Sequence, residues 1–318
     1  MITTVTMNAS LDKLYKVERL RDGTVMRVSE VSNTAGGKGL NVAKVAALLG
    51  EGVTATGFLG GFNGAHVRSL LAETGVEDAF VDSGVETRAC INVIDDETGS
   101  STESLEPGPA VVPERYAEFI GRYRALVAKS NAVTISGSLP SGAPEGFYGR
   151  LVEIARVAGV PVILDTSGRL LREGVASCPT LIKPNREELA ALTGKAPAGE
   201  AEIVEAMRGL LAGGLPSVAV SLGAEGCLYA CGEGVFKGSV PGVKAVNPVG
   251  CGDSMVAAFA VGLARRMPPL ETFRLALAVS AANAMNAKTG CIDNADLASL
   301  SARVTTESVV QTAESLKV

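Results

Sequence analysis

Apolar and polar positions along this chain follow two rhythms. Short β-rich runs recur at ITTVTMN, VTATGFLG, AVTISG, VPVILDTS, PTLIKPN and SVAVSLG. Between several of them lie stretches with apolar residues at helical spacing: KGLNVAKVAALLG, AHVRSLLAETG, PERYAEFIGRYRALVAKS, APEGFYGRLVEIARVAG, REELAALTG and EAEIVEAMRGLLAGG. Apolar strands alternating with amphipathic helices predict a parallel sheet covered on both faces, a doubly wound three-layer αβα body. Several of the helical stretches end in glycine, which tolerates the left-handed backbone that closes a helix.

Two segments break this rhythm. Residues 13–34, KLYKVERLRDGTVMRVSEVSNT, and 86–106, ETRACINVIDDETGSSTESLE, alternate polar and apolar residues, and the second carries a turn-like DDETGS. They predict antiparallel strands separate from the main sheet, a small β lid beside the body; edge strands of the body are the alternative. From about residue 250 the chain reads as consecutive helices. No internal repeat or low-complexity linker interrupts it, so one α/β domain is expected over 1–318.

Composition narrows the function. The 318 residues are 47% hydrophobic and 20% charged, with a net charge of −5 and no Lys/Arg cluster. Nucleic acid is therefore not the expected partner. The longest apolar run is far short of the ~20 residues a membrane span needs. The start, MITTVTMNASLDK, lacks the plan of a secretory signal, so a cytoplasmic location is expected. Six scattered cysteines form no CxxC pair, and His66 is the single histidine, at the start of a helical stretch. Zinc sites and histidine-based nucleophilic schemes are excluded on that count; the cysteines and His66 read as structural.

In an open α/β sheet, ligands bind beyond the carboxyl ends of the strands, so polar residues that end apolar runs carry the interest. Asn8 and Asp12 follow the first strand, with Asp12 readable as a loop cap or a ligand. In TAGGKGLNVAK, Gly36, Gly37 and Gly39 surround Lys38, and Asn41 lies one turn into a helix. The glycines allow close backbone approach and the helix start offers N–H groups to an anion; a tight turn with a solvated lysine is the plainer alternative. Ser136-Gly137-Ser138, Asp165, the stretch Lys183–Glu188 and Ser221-Leu222-Gly223 end four further runs. In VNPVGCGDS, Gly250, Cys251 and Gly252 stand at a helix N-terminus with Asp253 in its first turn. Asp253 reads either as a helix-dipole carboxylate or as a general base beside an anion hole. Neither a dinucleotide fingerprint nor a Walker A sequence is present. Cys251 as a nucleophile lacks a histidine partner.

Together these stretches resemble the PfkB/ribokinase family of carbohydrate kinases over nearly the whole chain. VNPVGCGDSMVAAF is similar to that family's C-terminal signature and TAGGKGLNVAKVAALLG to its N-terminal one, with KPNREE and SLGAEG in the expected order. MNASLD, ETRACI, SGSLPSG, ILDTSG and NAKTGCID are most similar to the tagatose-6-phosphate kinases, with 1-phosphofructokinases and minor 6-phosphofructokinases as near relatives. The resemblance implies the ribokinase-like fold with a β-sheet lid, ATP as co-substrate and Mg²⁺ as cofactor. It implies that Asp253 takes the proton of the acceptor hydroxyl and that Gly250, Cys251 and Gly252 neutralise the transferring phosphoryl through backbone N–H groups. By the same resemblance Asp12, Gly37 and Asn41 hold the sugar, and Lys38, Arg88, Arg27 and Ser136 serve the phosphate already on it. Lys183, Asn185, Ser221, Gly223, Gly226 and Asn283 serve ATP, and Glu188 belongs to a magnesium motif. The implied reaction is phosphorylation of D-tagatose 6-phosphate to the 1,6-bisphosphate. The alternatives are a phosphofructokinase, a kinase of an unphosphorylated sugar or nucleoside, and a non-catalytic sugar-phosphate sensor. Family lids often pair, which implies a homodimer through the lid. Cysteine at 251 departs from the common Ala or Ser, and suggests sensitivity to thiol oxidation.

Overall fold

The structure, a computed structural model, describes residues 1–309. The chain runs β1 (Ile2–Thr6), β2 (Ser10–Val17), β3 (Val28–Gly36), α1 (Lys38–Leu48), β4 (Val53–Leu59) and α2 (Gly61–Ala72). Two short strands follow, β5 (Glu77–Asp78) and β6 (Val81–Asp82), then β7 (Arg88–Asp95) and β8 (Ser101–Leu105). Next come α3 (Pro113–Val127), β9 (Ala132–Ser136), α4 (Phe147–Val157), β10 (Val162–Asp165), α5 (Gly168–Val175), β11 (Leu181–Ile182), α6 (Arg186–Thr193) and α7 (Glu200–Ala212). The chain continues through β12 (Ser217–Ser221), β13 (Cys227–Cys231), β14 (Gly234–Ser239), α8 (Cys251–Ala264), α9 (Pro269–Met285), α10 (Asn294–Ser301) and β15 (Thr305–Ser308).

The main sheet is ordered β15-β14-β13-β12-β11-β10-β9-β1-β4-β5, with β6 also on β4. From β12 to β5 every pairing is parallel, as the alternation of strands and helices predicts. Period-2 alternation splits the apolar side chains between two cores. Ile2, Ile163 and Leu181 face α1, α8 and α9, while Val5, Ile135, Leu164 and Ile182 face α3, α4 and α7. The same alternation puts Thr6, Ser136 and Asp165 on the α1/α8 side, with Ser136 and Asp165 in register on neighbouring strands.

The structure departs from the sequence reading in three places. A hairpin, β13–β14, joined by β15 in antiparallel pairing, extends the sheet, so the sheet is mixed and the C-terminal part is not helices alone. The second sheet, β3-β2-β7-β8, is separate from the main one, but its central pair β2–β7 is parallel. Alternation marks a half-buried strand and says nothing of its neighbour's direction. Finally, β2 begins at Ser10, which places Asp12 on a strand and not in a loop.

Candidate active site

Two helix N-termini, those of α1 and α8, meet over the carboxyl ends of β1, β9, β10 and β11. Gly250 starts α8 in left-handed backbone with φ at 82°, where a Cβ would collide with Thr289. Asn283 fixes this turn. Its Nδ2 donates to the Val249 carbonyl at 2.9 Å and its Oδ1 accepts from the Gly290 N–H at 2.9 Å. The first bond within α8 runs from Ser254 N–H to the Gly250 carbonyl at 2.8 Å, and Cys251 N–H turns back to the Pro248 carbonyl at 3.3 Å. The N–H groups left without a protein partner among the described residues are those of Gly250, Gly252 and Asp253. Of the three residues that the sequence assigned to an anion hole, Gly250 and Gly252 keep a free N–H, Cys251 is engaged, and the Asp253 N–H is free beside them. A Cβ on Gly252 would stand 3.2 Å from Lys183 Nζ, so the ammonium lies over the turn. Unpaired N–H groups, a helix N-terminus and a cation make a strong anion site.

Asp253 is 7% exposed, and its Oδ2 accepts a hydrogen bond from Asn41 Nδ2 at 2.8 Å. Burial, helped by the nearby charge of Asp165, pushes its carboxyl up to about 6, while Asn41, Lys38 and Lys183 offset part of the rise. A carboxylate in that range is poised to take a proton near neutral pH.

Asp165 ends β10 at 1% exposure, between Lys183 Nζ at 3.4 Å and Lys38 Nζ at 3.8 Å. Neither of its oxygens accepts a well-aligned hydrogen bond. Burial alone would pull the Lys183 ammonium down, but the charges of Asp165, Glu188 and Asp253 outweigh it and leave it above its ordinary value.

On β2, Ser10 Oγ donates to Asp12 Oδ1 at 2.6 Å. Gly36 makes room for this carboxyl, since a Cβ there would lie 2.0 Å from Asp12 Cγ. Burial raises Asp12 above the usual carboxylate value, against pulls from Ser10, Lys44 and Arg88. Lys44 is held on α1 by the Ala35 carbonyl at 3.2 Å; burial lowers its ammonium although Asp12 and Asp253 oppose this. Gly37 takes φ 107° with Thr6 and Ala9 packed close, so it has to be glycine. Arg88 Nε donates to the Asn8 carbonyl at 3.1 Å and its Nη1 to the Glu106 carbonyl at 2.9 Å, which leaves Nη2 uncommitted. Ser136 is buried with an unpartnered hydroxyl.

A model of the pfkB family of carbohydrate kinases matches residues 5–296. The chain belongs to this family. Phosphofructokinase-2 from Escherichia coli, solved in complex with potassium, superposes with a TM-score of 0.89 at 30% identity, covering 95% of this chain and 98% of that one. The same enzyme with fructose-6-phosphate gives 0.86 at 28% identity over 95% and 98%. A protein from Thermotoga maritima described as a possible 1-phosphofructokinase gives 0.88 at 28% identity over 98% and 100%. This pfkB kinase is thus a phosphotransferase that uses ATP and acts on a sugar hydroxyl.

The remaining expected residues of the kinase fall into two groups. Asn185 and Ser221 form a bridge across the ends of β11 and β12, with Gly223 exposed just beyond. Asn185 and Glu188 also close a capping box on α6: Asn185 Oδ1 accepts from Glu188 N–H at 2.8 Å and Glu188 Oε2 from Asn185 N–H at 2.9 Å. Three residues are placed differently. Gly226 is a glycine because a Cβ would lie 2.1 Å from the Gly238 carbonyl, a strand-packing demand. Asn283 is fully buried with both ends of its amide engaged by the Val249 carbonyl and the Gly290 N–H, so in this structure it braces the turn at Gly250. Arg27 is exposed just before β3, and among the described residues no hydrogen bond or ion pair ties it to the site. Two members of this group were given no role from the sequence, and Lys44 was not singled out at all. Asp165 ends an apolar run, which is a usable signal. Lys44 lies three residues after Asn41, on the same helix face.

Proposed function

We propose that this kinase transfers the γ-phosphoryl of ATP to a ketohexose phosphate, with D-tagatose 6-phosphate to D-tagatose 1,6-bisphosphate as the preferred reaction. The observation that carries this reading is the set of cations around the sugar side: Lys38 half exposed, Lys44 between Asp12 and Asp253, and Arg88 with Nη2 uncommitted. Lys38 and Lys44 already face carboxylates, so an unphosphorylated sugar would leave the Arg88 Nη2 as the charge without an anion. The preference for tagatose 6-phosphate rests on the likeness of the MNASLD, ETRACI and NAKTGCID stretches. The structural neighbours named for fructose-6-phosphate and 1-phosphofructokinase keep those two substrates as the direct rivals.

Phosphoryl transfer asks the protein mainly for alignment and charge neutralisation. Asp12 and Asn41 orient the sugar so that its acceptor hydroxyl meets Asp253. Asp253 accepts the hydroxyl proton as the oxygen attacks. Charge gathering on the transferred group is met by the N–H groups of Gly250, Gly252 and Asp253 and by Lys183. Asp165, whose oxygens accept no hydrogen bond although Lys38 and Lys183 flank them, and Glu188, whose Oε1 is outside the capping box, are hard donors that suit a magnesium ion carried in with the nucleotide phosphates. No group of three acidic, Cys or His side chains makes a protein cage among the described residues. When bound, Mg²⁺ supplies charge neutralisation of the phosphates.

The small sheet supports a homodimer. Val28, Val31 and Leu105 stand exposed on it at 41%, 57% and 66%, and Val25, beside it, at 99%. Among the described residues no helix is long and apolar enough to cross a membrane. The substrate assignment is tested by coupled ADP release from Mg·ATP with tagatose 6-phosphate, fructose 6-phosphate and fructose 1-phosphate. The highest kcat/KM is expected for the first; a higher value for either rival reassigns the substrate.

A further inference from the structure

A groove between α3 and α4 lies on the opposite layer from the α1/α8 site. Tyr116, Gly121 and Arg124 of α3 face Pro144, Phe147 and Arg150 across a cavity of about 410 Å³. The lining contains two arginines and no carboxylate. On the same helix Arg115 and Arg122 both pair with Glu118, whereas Arg124 and Arg150 have no carboxylate partner among the described residues. Gly121 sits inside α3, where glycine weakens a helix, and a Cβ on it would meet nothing within 4 Å. Tyr116 is 3% exposed, wedged between Phe58 and Phe147 at 5.0 Å each, and its hydroxyl has no hydrogen-bond partner.

Two guanidiniums without a carboxylate partner and aromatic and proline walls suit a ligand with a dianionic head and an apolar body. We propose that this groove binds a small organic phosphate ester and that its occupancy is felt at the sugar site. The route starts at Phe147 in the groove wall. Its neighbour Tyr148 donates from its hydroxyl to the Ser138 carbonyl at 3.0 Å. Asn8 Nδ2 donates to Ser138 Oγ at 3.0 Å, and Arg88 Nε donates to the Asn8 carbonyl at 3.1 Å. A shift of the α4 start therefore reaches Arg88 through three hydrogen bonds. The coupling rests on the proposed sugar-phosphate function; the binding does not.

Phenyl phosphate is the probe, with phenol and inorganic phosphate as its separate halves, titrated calorimetrically into the full chain. Phenyl phosphate should bind at least about tenfold tighter than either half, and Arg124→Ala/Arg150→Ala should weaken it by roughly another tenfold. Gly121→Leu, on an exposed helix face, should fill the groove and remove the binding while circular dichroism stays unchanged. No binding, or binding indifferent to both variants, overturns the site. For the coupling, tagatose 6-phosphate should change the phenyl phosphate Kd, and phenyl phosphate should change the sugar KM by the same factor when KM reports binding. Tyr148→Phe should keep phenyl phosphate binding and lose both effects. An effect on KM that survives Gly121→Leu is competition at the sugar site and overturns the coupling. If no ketohexose phosphate is turned over, calorimetry on the groove still decides the binding.

Discussion

Replacing Asp253, the proposed base, with asparagine should make the protein more stable while slowing its turnover. Asp253 is raised from 3.8 to about 6 in the folded protein, first by burial and then by Asp165. A rise of that size corresponds to about 3 kcal/mol. The folded state binds this proton more tightly than the unfolded state does. The penalty is therefore absent below the unfolded value near 3.8, grows as pH rises, and is complete above about pH 7. Asparagine cannot ionise, and its carbonyl still accepts from Asn41 Nδ2. Asp253→Asn should accordingly exceed the wild type in stability by up to about 3 kcal/mol at pH 8, with the advantage vanishing toward pH 4. Urea unfolding of both proteins across pH 4–8 measures this directly. A variant no more stable than wild type at pH 8, or a difference that does not move with pH, refutes the argument that burial of this carboxylate is what raises it.

The wild-type kcat/KM should rise with pH through about 6, because Asp253 has to be ionised to accept a proton; a profile flat from pH 5 to 8 counts against it. Gly36→Ala puts a methyl 2.0 Å from Asp12 Cγ, and should raise the sugar KM by at least about tenfold with a smaller effect on ATP, read from initial rates. Cys251→Ala should keep kcat within about threefold of wild type, because the proposed anion hole is made of backbone N–H groups and burial raises this thiol. A large loss in that variant would point to a role for the sulfur.

The parallel half of the sheet was legible because strands buried on both faces read as apolar runs. The β13–β15 extension was not. CLYAC and VFKGS are strand-like, but whether such runs fold back as a hairpin depends on what covers them, here α9 and β15. For the site, Asp253, Asn41 and Lys183 lie in recognisable stretches, and the structure brings all three within one buried group. Asp165 could be seen as a polar strand end, but its ion pairs join Lys38 and Lys183, far apart in sequence. Such pairs are set by strand order, which local patterning does not encode. Asn283 shows the reverse case: a polar residue at a late-helix position reads as a ligand contact until its amide is found bracing the turn at Gly250.

The central claim, that Asp253 promotes phosphoryl transfer from ATP to a ketohexose phosphate, is met most directly by ³¹P NMR of tagatose 6-phosphate with Mg·ATP. With the wild type, a second phosphomonoester resonance should grow as the γ-phosphate signal falls, in equal amounts. With Asp253→Asn the conversion should be slower by about 10² to 10⁴. No bisphosphate from tagatose 6-phosphate, fructose 6-phosphate or fructose 1-phosphate, or equal rates for the two proteins, would contradict the account.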